Sequence, residues 1–572
     1  MPPMLDGNLK NQSRKNFFSS LVLTIAALAA YSNTFHCPFI FDDVPGILNN
    51  IYIRHLWPLS RALSAPADTS VAGRPLASLS LAINYAISGL NPWSYHVLNL
   101  MLHIGSAFLV YVILRRTFLR LTFIPQSKIG PWLFSLTAAM FWLVHPLQTH
   151  AVTYVIQRAE LLAGFFYFAT LYAFLRSLGS QRQVLWQTIA IFLCALGMLS
   201  KEVMVTCPVM IYLYDRCFVE KSFVRPFKKR PWFYTGLVLT WGILILLQWS
   251  GPRSQTANIH FPFYTPWLYF KTQIGVVCHY LRLSVWPYPL VLDYTGWKFA
   301  LSLKSVLPQA LILFSLVVLT LWALIRRPLL GFLGAWFFII LSPSSSFVVL
   351  LSDVVAEKRM YLPLLAVVVF LFLVADWLLG WAGRCRAWSD SRLRKIFIGF
   401  VTLVILGSMG LTFSRNQDYQ SNLSIWLDTV RKRPDNGKAW NNLGLAYTEK
   451  EGWASENALR SYAEAFRVDP INFYAHCNYA NALMQRGEFE EALQHYQLAV
   501  SLNEKIGVAH FNLGILYRIL KRDDEAIQEF TKAIRIDPDD GKAHQQLIEI
   551  YRDQKEMNKV RDHENEIRRI LS

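Results

Sequence analysis

Charge is scarce in this chain. Only 16% of its 572 residues are Asp, Glu, Lys or Arg, while 53% are hydrophobic and mean hydropathy is +0.29. Such a balance excludes a wholly soluble protein of this size and leaves a polytopic membrane protein. Cysteine is sparse too: seven residues, an odd number, scattered with no CxxC pair and no Cys/His metal spacing. A disulfide framework or zinc module is thereby disfavoured, and buried thiols remain. The sequence carries no P-loop, Gly-x-Ser-x-Gly elbow, Rossmann fingerprint or zinc-protease motif, which weakens nucleotidyl, hydrolase and redox readings. The first apolar run lacks a small-residue cleavage site and reads as an uncleaved helix.

What is present is apolar and periodic. Eleven apolar windows fall near 17–35, 95–114, 131–149, 151–175, 184–200, 202–214, 232–249, 306–325, 329–343, 361–380 and 395–413. They predict an all-α polytopic domain over residues 1–414 with about eleven spans. The formal charge of +18 is topological, because the basic residues sit in the linkers. With Lys10, Arg14 and Lys15 cytoplasmic, the clusters Arg115/Arg116/Arg120, Arg176/Arg182, Arg216 to Arg230, Arg326/Arg327 and Arg384 to Lys395 all fall on the inner side. This leaves no role for nucleic acid. Residues 36–94 and 250–305 become outer loops; within the second, 271–291 reads as a re-entrant or interfacial element, since a further crossing would move the later clusters outside. The odd count puts the C-terminus outside.

Past residue 415 the chain turns polar and repetitive. Ala465, Ala499 and Ala533 recur every 34 residues, as do Ala492 and Ala526, and Pro470 and Pro538 lie two periods apart. This pattern resembles tetratricopeptide repeats, with units near 437–470, 471–504 and 505–538, a capping pair at 541–572, and 415–434 as a joining half-repeat. The expected fold is a helical membrane domain followed by an α-solenoid over 415–572.

On this topology the candidate polar residues gather on the outer side. Asp42 and Asp43 in FDDVPG form an adjacent acid pair, and a carboxylate held beside another can serve as a general base. On local chemistry alone the pair is better read as a solvated turn leading into Pro45-Gly46. Arg158 and Glu160 lie about two turns into a span, where an unpaired charge costs roughly 2.5–3.5 kcal/mol. Their spacing puts them on different helix faces, so they do not simply neutralise each other: either a polar cavity entered from the outer side holds both, or each pairs with a neighbouring helix. Lys358 and Arg359 in AEKRMYLP, and Lys201 with Glu202 in LSKE, are read either as a phosphate-holding group or as snorkelling interfacial residues. His96 and His103 share a helix face with Asn99, and His145 and His150 flank a Pro-broken outer turn; packing is the commoner role for such histidines.

FDDVPGILNN, RPLASLSLAINYAISGLNPWSYHVLNLMLH, HPLQTHAVTYVIQRAELLAGFFYF, LSKE and AEKRMYLP, in this order and followed by the repeats, resemble the transmembrane and tetratricopeptide-repeat-containing O-mannosyltransferases. That family belongs to the GT-C glycosyltransferase superfamily. The short repeat array is similar to a prokaryotic relative. The resemblance implies a sugar, possibly mannose, on a polyprenyl-phosphate donor, and Asp42 or Asp43 as catalytic carboxylates with Asp42 favoured as base. It further implies donor-phosphate binding by Arg359 and Lys358, with Arg158 and Lys201 as further candidates. Glu160, Glu202, His145, His150, Glu357, His96 and His103 complete the polar set. No metal ligand set is implied, although an Asp pair can recruit a divalent ion.

The expected function is an inverting transfer to an acceptor hydroxyl, on a protein recruited by the repeats, at the extracytoplasmic face of the plasma membrane, or at the endoplasmic reticulum in a eukaryote. The alternative is a non-catalytic membrane scaffold that displays the repeats to partners. A plain anchor has no need of Arg158, Glu160 and acids beside the membrane.

Overall fold

The computed structural model describes residues 3–67, 69–120, 129–249, 265–346, 353–386 and 388–571, and every regular element among them is helical. Residues 250–264 of the second predicted outer loop lie outside the described residues. Two compact units emerge: Met1–Leu290 with Trp297–Ser421, and Val291–Gly296 with Asn422–Ser572.

Proline sets many helix starts in the first unit. Pro75, Pro131, Pro231, Pro266 and Pro328 each open a helix, where the missing N–H costs nothing and the ring fixes a helical φ. Among the described residues six helices are long and apolar enough to cross a membrane: Trp93–Arg120, Val155–Ser177, Pro231–Trp249, Leu303–Arg326, Leu364–Arg386 and Asp390–Asp418. Six of the eleven apolar windows fall in them. Window 17–35 lies in the 29-residue helix Pro3–Tyr31. The other four lie in helices Pro131–Leu143, Gln183–Met198, Cys207–Asp215 and Pro328–Leu341, of 13, 16, nine and 14 residues. At about 1.5 Å per residue these fall short of a hydrocarbon layer of roughly 30 Å. Helix Pro266–Val285, which covers most of the stretch read as re-entrant or interfacial, is not among the six.

One face of this unit is tied together by hydrogen bonds. Asn33 donates to the Phe413 carbonyl at 2.9 Å and Asn416 to the Ala30 carbonyl at 3.1 Å, so helices Pro3–Tyr31 and Asp390–Asp418 meet at their C-terminal ends. Thr412 donates to the Val144 carbonyl and Thr153 to Asn416, both at 2.7 Å. These bonds bring in the stretch after Leu143, where Pro146 prevents the helix from continuing and the chain passes through short turns until Arg158. The segment Glu357–Tyr361 threads into the same region: Trp142 donates to the Tyr361 carbonyl at 3.1 Å, and the Tyr361 hydroxyl meets His103 at 3.0 Å.

The second unit contains helix Asn422–Lys432 and four helix pairs, Gly437–Glu451 with Glu456–Val468, Phe473–Arg486 with Phe489–Leu502, Gly507–Ile519 with Asp523–Ile536, and Gly541–Asp553 with Met557–Leu571. The 34-residue alanines have a steric cause, since Ala465, Ala499 and Ala533 are fully buried between paired helices. Gly444 is equally constrained: a Cβ there would lie 2.3 Å from the Tyr462 ring. The turn inside the first pair is longer, four residues from Gly452 to Ser455 against two in the second pair.

The hexapeptide Val291–Gly296 is built into this unit. Asp293 accepts from Asn436 at 3.0 Å and from the Thr295 N–H at 2.7 Å, and pairs with Lys438 at 3.0 Å. Asn436 also caps helix Gly437–Glu451 by accepting from the Ala439 N–H at 2.9 Å. Asn436→Ala removes both functions and is expected to destabilise this end of the repeats by about 1–2 kcal/mol. Hydrogen exchange should show faster exchange in the first turn of Gly437–Glu451, with the Met557–Leu571 helix unaffected.

Candidate active site

The acid pair sits on a strained, tightly held loop. Phe41 has φ of +45°, a left-handed conformation that non-glycine residues rarely adopt. The next two residues then part company. Asp43 is 1% exposed, and its carboxylate accepts from the Ile40 N–H at 3.0 Å and the Ile156 N–H at 2.7 Å. Asp42 is only half-buried; its N–H donates to the Tyr154 hydroxyl at 2.7 Å, and that hydroxyl also bonds its carboxylate. The chain then makes one wide turn, closed by the Asn49 N–H on the Val44 carbonyl at 2.9 Å. Gly46 lies so close to Ile156 that a Cβ would approach the end of its side chain to 2.5 Å, so a larger residue would require that side chain to shift.

Burial pushes the Asp43 carboxyl up to about 8; the two N–H groups pull it down, Asp42 adds to the rise, and Arg158 opposes it. Burial thus works against a second full charge beside Asp42.

Arg158 is 0% exposed, and its guanidinium is taken up by the protein. Nε donates to Asn99 at 2.8 Å, one terminal nitrogen to Asn84 and to the Ser80 carbonyl, and the other to the Tyr95 carbonyl at 2.8 Å. Asn99 in turn donates to the Val152 carbonyl at 3.1 Å. Arg158 thus binds helices Pro75–Ser88 and Trp93–Arg120 to the turn beneath Asp43, a structural role in place of the phosphate contact expected from the sequence. Arg359 folds back on the Asp353 and Val354 carbonyls and bonds Tyr269.

Lys201 has a different setting. It pairs with the buried Glu160 across from helix Arg158–Ser177, so Arg158 and Glu160 find separate partners. Burial pushes the Lys201 ammonium down to about 8; Glu160 opposes this, while Arg74 and Lys358 lower it further, which marks three cations acting on one region. Arg74 pairs with Glu202 at 3.4 Å and Lys358 with Asp353 at 2.9 Å. Glu202 and Asp353 are 42% and 41% exposed, so both counter-ions stand at the surface.

Glu357 is buried with its carboxylate 3.9 Å from His150, whose ring packs against Tyr154. The remaining histidines are engaged in packing: His96 with the Cys37 carbonyl at 2.9 Å, His103 with Tyr361 and the Leu143 carbonyl, and His145 with the Ser284 carbonyl and the Leu147 N–H. Among the described residues no group of three or more His, Cys, Asp or Glu side chains could hold a metal ion. Sequence reasoning missed Tyr154 and Arg74. Both lie inside the quoted motifs, HAVTYVIQR and RPLAS, but nothing in their spacing marks them out.

An all-helical membrane unit carrying this site, joined to tetratricopeptide repeats, is the class of protein defined here. The resemblance drawn from the sequence holds. The tetratricopeptide repeat family matches residues 473–539. Over most of its length the chain is similar to proteins named protein O-mannosyl-transferases. It is 27% identical over 533 residues to TMTC3 of Homo sapiens, covering 84% of this chain and 54% of that protein. It is 25% identical over 572 residues to Tmtc3 of Drosophila melanogaster, covering 87% and 60%. The chain therefore spans little more than half the length of these relatives. Among solved structures, the crystal structure of MamA matches 28% of this chain and 93% of its own, at 19% identity and a TM-score of 0.25.

Two outcomes test the site's construction. Arg158→Lys cannot reproduce the planar fork and leaves buried carbonyl and amide oxygens unpaired, so a stability loss of about 2–4 kcal/mol is expected in detergent-solubilised protein. A phosphate-binding arginine would instead leave thermal stability intact. The second concerns Asp43. Its folded value of about 8 lies above that of an unfolded carboxylate, so its contribution to stability is full below about pH 4 and is lost as pH rises through about 8. Thermal melts from pH 5 to pH 9 should show wild type losing stability relative to Asp43→Asn; a constant difference would refute the assignment.

Proposed function

We propose that this chain is a membrane-embedded inverting glycosyltransferase that moves a sugar from a polyprenyl-phosphate donor to an acceptor hydroxyl, with Asp42 as general base. The acceptor O–H gives its proton to Asp42 as its oxygen bonds to the anomeric carbon. The bond from that carbon to the phosphate oxygen breaks, and its electron pair leaves with the polyprenyl phosphate. Lys201 and Lys358, joined by Arg74, stabilise the charge that develops on this phosphate while the polyprenyl tail stays in lipid. The observation that carries the reading is the division of labour in the acid pair: Asp43 is buried with both oxygens engaged by backbone N–H groups, and Asp42 is half-exposed beside it.

The names of the relatives support a glycosyl transfer to protein, with mannose as the first sugar to test. The repeats would recruit the acceptor. The joined C-terminal ends of helices Pro3–Tyr31 and Asp390–Asp418 support an odd number of crossings between the start and end of the membrane unit. With the basic clusters inside, the acid pair and the exit of the last helix are then extracytoplasmic.

In proteoliposomes supplied with polyprenyl-phosphate mannose and an acceptor protein mixture, Asp42→Asn is expected to cut transfer by roughly 10²–10⁴-fold, the range of a lost general base, without a change in melting temperature. Transfer retained by Asp42→Asn would overturn the assignment.

A further inference from the structure

We infer that Tyr154 is a positioning residue for Asp42: its phenol fixes the orientation of the carboxylate and holds it charged. The inference rests on the reading of Asp42 as the base. The Tyr154 hydroxyl spends both of its capacities on one residue. It accepts the Asp42 N–H at 2.7 Å, and it donates its own proton to the Asp42 carboxylate. The ring is 2% exposed and cannot swing toward water, packed as it is against His150 at 5.8 Å between ring centres.

A buried tyrosine hydroxyl usually finds a partner, so a plain packing role must be weighed. Here that role is already filled. The loop is stapled by Asp43 to the Ile40 and Ile156 N–H groups, and by the close contact of Gly46 with Ile156. Tyr154 adds no further tie between distant segments beyond the one that ends on Asp42 itself. What it adds is a donor to the Asp42 carboxylate, which sets the direction of that group. A phenol is a far weaker acid than a carboxylic acid, so it supports the anion without surrendering its proton. Both acids are thus set by one short stretch, Asp42 through the Tyr154 side chain and Asp43 through the Ile156 backbone.

Tyr154→Phe keeps the ring and deletes the hydroxyl, and it is tested in the full chain by two readouts. The first needs no sugar: a hydrophobic carbodiimide modifies carboxyl groups in their protonated form, and peptide mass spectrometry follows Asp42 labelling against pH. Loss of the donor should move the Asp42 labelling profile to higher pH by about one unit, the size a charge-assisted hydrogen bond supports. The second is transfer from polyprenyl-phosphate mannose, where kcat should fall about 10–100-fold with KM for the donor little changed and the acid limb of kcat displaced upward. A labelling profile that coincides with wild type overturns the inference, and so does a loss of kcat that comes with an equal loss of melting temperature. Transfer that survives Asp42→Asn overturns the base assignment instead, even where Tyr154→Phe shifts the labelling profile.

Discussion

Two backbone N–H groups closing on one buried carboxylate hold the candidate site together. The bonds of Asp43 to Ile40 and Ile156 join a loop after the first helix to a turn more than a hundred residues later. Together with the Asp42 N–H on the Tyr154 hydroxyl, they hold the strained Phe41 backbone in place. The same turn ends in Arg158, which draws in two further helices through Asn84 and Asn99. One stretch of five residues therefore carries the loop acids, the tyrosine and the buried guanidinium.

The charged groups of the membrane unit divide by how their partners are exposed. Asp215 is fully buried and takes Arg230 at 2.8 Å and the Tyr234 hydroxyl at 2.6 Å, while Glu220 takes Arg230 and Lys229. In this network Asp215, Glu220 and Arg230 are all buried and pair with one another. Around Lys201 the balance differs. Glu160 is buried and fixed, but the carboxylates facing Arg74 and Lys358 are at the surface, where an incoming phosphate can compete with them. The distinction separates cations paired with buried carboxylates from cations paired with exposed ones.

Much of the architecture was legible before any coordinates. The repeats were legible because close helix packing admits only small residues at fixed 34-residue intervals, as at Ala465, Ala499 and Ala533. The apolar windows were legible because lipid admits little else. Boundaries were less so: helix Asp390–Asp418 continues past the compositional change at 415, and the hexapeptide Val291–Gly296 joins the repeat unit despite lying between apolar helices. Its partners are single residues, Asn436 and Lys438, with no periodic signature.

The sequence by itself determined the helical class, the repeat array, the apolar segments and the presence of an acid pair after the first of them, since each follows from composition or period along the chain. Only the tertiary structure decided which acid is buried, that Arg158 is held by the protein's own oxygens, that Tyr154 bonds Asp42 and that Arg74 pairs with Glu202. The physical reason is that a side chain's role depends on its partners. Those partners come from segments whose separation in sequence has no relation to their distance in space.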